Sequence, residues 1–96
     1  MKIPETIRVC GLIYKVVFEK NMDQRDGLVG QHRSKELIIK LQDGDYAPQK
    51  IEQVFFHEVL HAIDLNYNND KMTEEEIDRV SSGLYQVLSD NNLLKE

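Results

Sequence analysis

Residues 55–64 read FFHEVLHAID, which sets His57, Glu58 and His61 in the order His-Glu-x-x-His. On an α-helix, positions 57 and 61 lie one turn apart on one face, so both imidazoles can reach a single ion at about 2.0–2.1 Å, the zinc–nitrogen distance. Glu58 sits beside that line. This offset suits a carboxylate that does not ligate the metal but takes the proton of a water as it attacks a carbonyl. A zinc ion would lower the pKa of that water from about 15.7 to about 7 and polarise the carbonyl. The competing reading is an amphipathic helix with two core or rim histidines. Against it stand Phe55, Phe56, Val59, Leu60 and Ile63, which are expected to bury the helix and so make an unpaired imidazole costly.

The elements that must position this triplet are legible on both sides of it. Pro48 fits the first turn of a helix, and Ile51, Val54, Phe55, Val59, Leu60 and Ile63 recur at helical spacing up to the loop chemistry of NYNND, residues 66–70. A second helix starts at Thr73, whose hydroxyl can cap the backbone while Glu76, three residues on, closes a capping box. Its expected core stripe is Ile77, Val80, Leu84, Val87 and Leu88, and it ends at Asp90-Asn91-Asn92. The half before about Asp43 reads as strands. TIRVCGLIYKVVFE predicts a hairpin turning at Cys10 and Gly11, with Tyr14, Val16 and Phe18 on one face. NMDQRDG is polar and ends in the turn signal Asp26-Gly27, and LVGQHR and ELIIKL, separated by Ser34-Lys35, predict a second hairpin or consecutive antiparallel strands.

A catalytic zinc takes three protein ligands and keeps a fourth position for water, so a third ligand is required. The extended metzincin pattern would need glycine at position 64 and histidine or aspartate at position 67, where this chain has Asp64 and Tyr67. Cys10 is a formal candidate, as in peptide deformylases, but Val9 and Gly11 do not reproduce that family's context. His32 lies in the polar stretch QHRSKE, where a solvent-exposed imidazole is the ordinary outcome. Glu74, Glu75 and Glu76 remain, at the head of the second helix, and any of them would complete a His-His-Glu site. Their competing explanation is the helix macrodipole, which favours acidic residues in a first turn.

HEVLH followed by TEEEIDRVSSGLYQVL resembles the gluzincin metallopeptidases, in which a downstream glutamate helix supplies the third ligand. The likeness is to the minimal single-domain members and to phage-associated proteins related to the ImmA/IrrE metallopeptidases, and it spans residues 55–92. It implies an α+β, zincin-like domain in which a small antiparallel or mixed N-terminal sheet packs on an active-site helix and a glutamate helix. It also implies a zinc cofactor, a peptide or protein substrate, and metalloendopeptidase activity with Glu58 as general base. In that family the ligand glutamate is followed by an acidic or amide residue four positions on and a small one seven on. Asp78 and Ser81 give Glu74 that pattern, so Glu74 is the expected ligand beside His57 and His61. Asp78 is then expected to orient one of the imidazoles, with Asp64 a weaker candidate for the same task. An oxyanion donor is expected among Tyr14, Tyr46, Tyr67 and Tyr85. The strand ELIIKL, residues 36–41, is the expected edge along which an extended peptide would pair.

Composition bounds the alternatives. Ninety-six residues with 41% hydrophobic and 30% charged side chains describe one folded domain, residues 1–96. The net charge of −5 disfavours a nucleic-acid surface, which needs clustered Lys and Arg. The single Cys10 rules out an intramolecular disulfide. With no apolar run of signal-peptide or membrane-span length, a cytoplasmic protein without a membrane partner is expected. Nothing in the sequence sets the oligomeric state. Two further classes stay open: a catalytically silent zinc-binding regulatory module, and a purely structural interaction protein without metal.

Overall fold

The computed structural model describes residues 1–95, an α+β arrangement in which four strands and a short helix precede two long helices. β1 (Thr6–Val9) and β2 (Leu12–Glu19) form the first hairpin, in register from Thr6 opposite Lys15 to Val9 opposite Leu12. Its two-residue turn places Cys10 at φ 53° and Gly11 at φ 74°, the pair of positive φ values that matches the twist of the flanking strands. β3 (Gly30–Arg33) and β4 (Ile38–Gln42) form the second hairpin, so both expected hairpins are present.

The strand order is β1-β2-β4-β3, with β2 and β4 parallel. Reaching that parallel register takes a crossover, and its first part is α1 (Met22–Asp26), a helical turn in the stretch expected to be only polar loop. Fully buried Met22 anchors it, and Gly27 closes it in the left-handed region, donating its N–H to the Asp23 carbonyl. The Gln42 side chain accepts a 2.8 Å hydrogen bond from the Asp23 N–H.

The expected substrate edge is corrected here. Residues 36–41 run into β4, which lies between β2 and β3, with Ile39 and Leu41 fully buried. A strand with so apolar a run gains most from neighbours on both sides. The open edge near the helices belongs to β3.

α2 (Pro48–Tyr67) carries Pro48 in its first turn and sets Ile51, Phe55 and Ala62 against Val9, Tyr14, Ile39 and Leu41 to make the core. Phe56, Val59 and Leu60 are only half-buried and Ile63 is exposed, so the helix is less enclosed than its composition predicts. α3 (Glu74–Asp90) begins with the expected capping box: Thr73 Oγ1 accepts from the Glu76 N–H, and the Glu76 carboxylate accepts from the Thr73 N–H. Its expected core stripe is corrected. α3 packs on α2 through a narrow line containing buried Ile77 and Ser81, while Val80, Leu84 and Val87 are 42–50% exposed. A helix lying on one other helix covers less of its surface than one lying on a sheet.

Candidate metal centre

α2 turns His57 and His61 toward the first turn of α3. Where α3 begins is fixed by Asp64, which is 1% exposed. Its carboxylate accepts the Met72 N–H at 3.2 Å and the Asn68 amide at 2.9 Å, while Asn69 and Asp70 turn the chain through the left-handed region. Asp64 therefore ties down the interhelical loop and does not hold an imidazole, which corrects the weaker expectation for it.

This turn delivers Glu74 to the histidines. Glu74 Oε1 lies 2.7 Å from His57 Nε2, and Oε2 lies 3.1 Å from His61 Nε2. The two neighbouring glutamates point elsewhere: Glu75 pairs with Arg79 at 3.1 Å, and Glu76 serves the capping box. One ligand atom from each of His57, His61 and Glu74 lies within 4.8 Å of the others, a group that could hold a metal ion. Two imidazole nitrogens and one carboxylate oxygen suit a borderline-soft divalent cation, and the exposed carboxylate can adjust to it. Asp78 Oδ1 stands 3.5 Å from His57 Nδ1, close enough to bias the orientation of that ring from its far nitrogen.

Glu58 lies on the adjoining face of α2, 7% exposed. Burial lifts its pKa to about 7, the Glu74 charge adds to the rise, and the His57 charge and a hydrogen bond from the His32 N–H oppose it. That backbone donor comes from β3. In the β3–β4 ladder the Val29 carbonyl accepts the Gln42 N–H at 2.8 Å, so residues 29, 31 and 33 face β4, while Gly30 and His32 turn their backbone groups to the open edge. β3 can approach α2 this closely only because residue 30 is glycine: a Cβ there would overlap Val54 Cγ1 and stand 3.1 Å from Glu58 Oε2. Gly30 was not singled out in the sequence, and its only signal there is a glycine at the start of a strand.

These residues border a cleft of about 550 Å³ between β3, α2 and the start of α3. His32 is in its wall, half-buried, with Nε2 3.0 Å from the Tyr14 hydroxyl, which corrects the expectation of a solvent-exposed imidazole. Its pKa is lowered, first by burial and then by His61. Neither His32 nor the exposed Cys10 joins the ligand group among the described residues. None of the four tyrosines lines the cleft. Tyr14 is buried against His32, Tyr46 donates to Asp23 at 2.9 Å, Tyr67 is 66% exposed, and Tyr85 donates across to Glu52 at 3.0 Å. The expected oxyanion donor is therefore not supplied by a tyrosine of the cleft wall.

Comparison with protein-family models, with curated proteins and with solved structures found no match to this chain. The class of the site therefore rests on its own geometry, two histidines and one glutamate that could hold a metal ion with a buried carboxylate alongside. No helix among the described residues is long and apolar enough to cross a membrane.

Proposed function

We propose that this chain is a zinc-dependent metalloendopeptidase of zincin-like fold, with His57, His61 and Glu74 as metal ligands and Glu58 as general base. The observation that carries the proposal is the meeting of Glu74 with both imidazoles while Glu58 is buried next to them. A zinc ion held there would supply Lewis acidity toward a water and a substrate carbonyl.

The remaining work falls to the chain itself. Glu58 Oε accepts the proton of the attacking water and returns it to the leaving amine nitrogen, so that one carboxylate serves both halves of the hydrolysis. The His32 N–H holds that carboxylate in place, and Asp78 steadies the His57 ring. Peptide is the fitting substrate class because the cleft runs beside an open strand edge to which an extended chain can add.

The test is the Glu58→Gln variant. Wild type purified without added metal is expected to carry about one equivalent of zinc and to cleave members of a peptide panel. The variant is expected to keep the zinc and lose cleavage. If wild type and variant are equally inert with zinc bound, the chain is a metal-binding module without turnover. If neither holds zinc, the proposal fails altogether.

A further inference from the structure

The ligand group occupies one end of the cleft, and the other end has a different chemistry. Lys50 lines it, two turns before His57 on the same face of α2, and it is the one lysine or arginine among the described lining residues. Lys50 has no ion-pair partner among the described residues. Asp90, across the neighbouring groove that Lys50 also borders, is held by Gln86 at 2.8 Å. The start of α2 adds positive potential of its own. Its first turn has no acidic residue to offset that potential, while Pro48 carries no N–H and the Lys50 and Ile51 N–H groups already meet the Ala47 carbonyl, so the helix contributes its dipole rather than a row of free donors.

Direction follows from β3. Gly30 touches Val54 and Glu58, and the His32 N–H reaches Glu58, so β3 and α2 advance the same way along the cleft. Gly27 and Leu28, just before β3, share the far end with Lys50. A peptide adding antiparallel to β3 would enter at His32 and leave at Gly27, which puts its C-terminal side over Lys50. Two helical turns are about 10 Å, and an extended peptide advances about 3.3 Å per residue, so the lysine meets a group about three residues beyond the scissile bond.

We propose that Lys50, at the positive end of α2, forms a carboxylate-binding subsite that selects peptides with an acidic group two or three residues C-terminal to the cleaved bond. This rests on the metallopeptidase reading above. The carboxylate can be an Asp or Glu side chain or the peptide's own C-terminus, because the same cation recognises either.

The experiment compares peptides bearing Glu or Gln at each of the three positions after the scissile bond, and peptides ending there as free acid or carboxamide. Each pair is measured with wild type and with Lys50→Gln for kcat/KM, and with zinc-loaded Glu58→Gln and Glu58→Gln/Lys50→Gln for binding by fluorescence anisotropy. Wild type is expected to prefer the charged member of a pair by about three- to fivefold, the scale of an ion pair in contact with solvent, and Lys50→Gln to bring the ratio to about one. Preference for Glu in mid-peptide assigns a side-chain site, and preference confined to the free acid assigns a terminal one. Cleavage with no charge preference, or with one that survives Lys50→Gln, overturns the subsite and leaves the peptidase reading standing. A Lys50-dependent binding preference without any cleavage does the reverse. Equal binding of both members together with no cleavage overturns both.

Discussion

Glu74 Oε1 stands 2.7 Å from His57 Nε2 across a separation of seventeen residues, while Glu75 and Glu76, which follow it, are engaged elsewhere. One carboxylate out of three consecutive ones therefore meets both imidazoles. Glu74→Gln is expected to weaken zinc binding by at least about a hundredfold, beyond the 10–100-fold typical of losing a partner behind a ligand. Glu75→Gln is expected to leave it within about twofold, and Asp78→Asn to weaken it by about tenfold. Competition titration against a chromophoric chelator measures all three.

Zinc that binds the folded chain and not the unfolded one must raise its stability. At a free zinc concentration one hundred times Kd, the gain is about 2.7 kcal/mol. Chemical denaturation with and without zinc is expected to show that gain in wild type and none in His57→Ala/His61→Ala. A gain that survives the double substitution would place the metal elsewhere.

Gly30→Ala pushes a methyl group into Val54 Cγ1 and toward Glu58. The expected cost is about 1–3 kcal/mol, the range for overpacking a fitted contact. Adding Val54→Ala is expected to recover part of it, because the overlap is with a side chain. Urea unfolding midpoints of the two variants decide the point, and peptidase activity is expected to fall further than stability because the His32 N–H moves off Glu58.

Asp64→Ala leaves the Met72 N–H and the Asn68 amide without their acceptor. A loss of about 1–3 kcal/mol is expected, the range for losing part-buried hydrogen bonds to a charged acceptor. The loop it anchors sets the start of α3, so hydrogen exchange is expected to quicken first at Met72 to Glu76, before the sheet.

Acid sensitivity follows from His32, whose pKa burial holds below the ordinary 6.5. The unfolded chain takes up the imidazole proton near 6.5, and the folded chain only at lower pH. Over that interval the unfolded state binds more protons, so folding stability falls as pH drops through 6.5 toward the folded value, then levels off. In the metal-free protein His32→Gln is expected to flatten this part of the stability-versus-pH curve, read from urea midpoints between pH 7.5 and 5. NMR titration of the His32 ring gives the folded midpoint directly.

Local chemistry made much of this protein readable from its residues. The spacing of His57, Glu58 and His61 places two imidazoles on one helical face and a carboxylate beside them. Thr73 and Glu76 announce the start of α3, and Cys10-Gly11 marks a two-residue turn. Each depends on residues within a turn or two of one another, where backbone geometry is nearly fixed. The tertiary structure decided what depends on elements far apart in the chain. The residues alone left three glutamates open, and the crossing of α3 over α2, held by Asp64, brought Glu74 to the imidazoles. The β1-β2-β4-β3 order put residues 36–41 inside the sheet and made β3 the open edge. The close approach of β3 to α2 made Gly30 a necessity and the His32 amide a partner of Glu58. Hydrophobic periodicity states which face of an element seeks cover. Which neighbour supplies that cover, and how much of the face it leaves to solvent, is settled only when all the elements pack together, as exposed Val80, Leu84 and Val87 show.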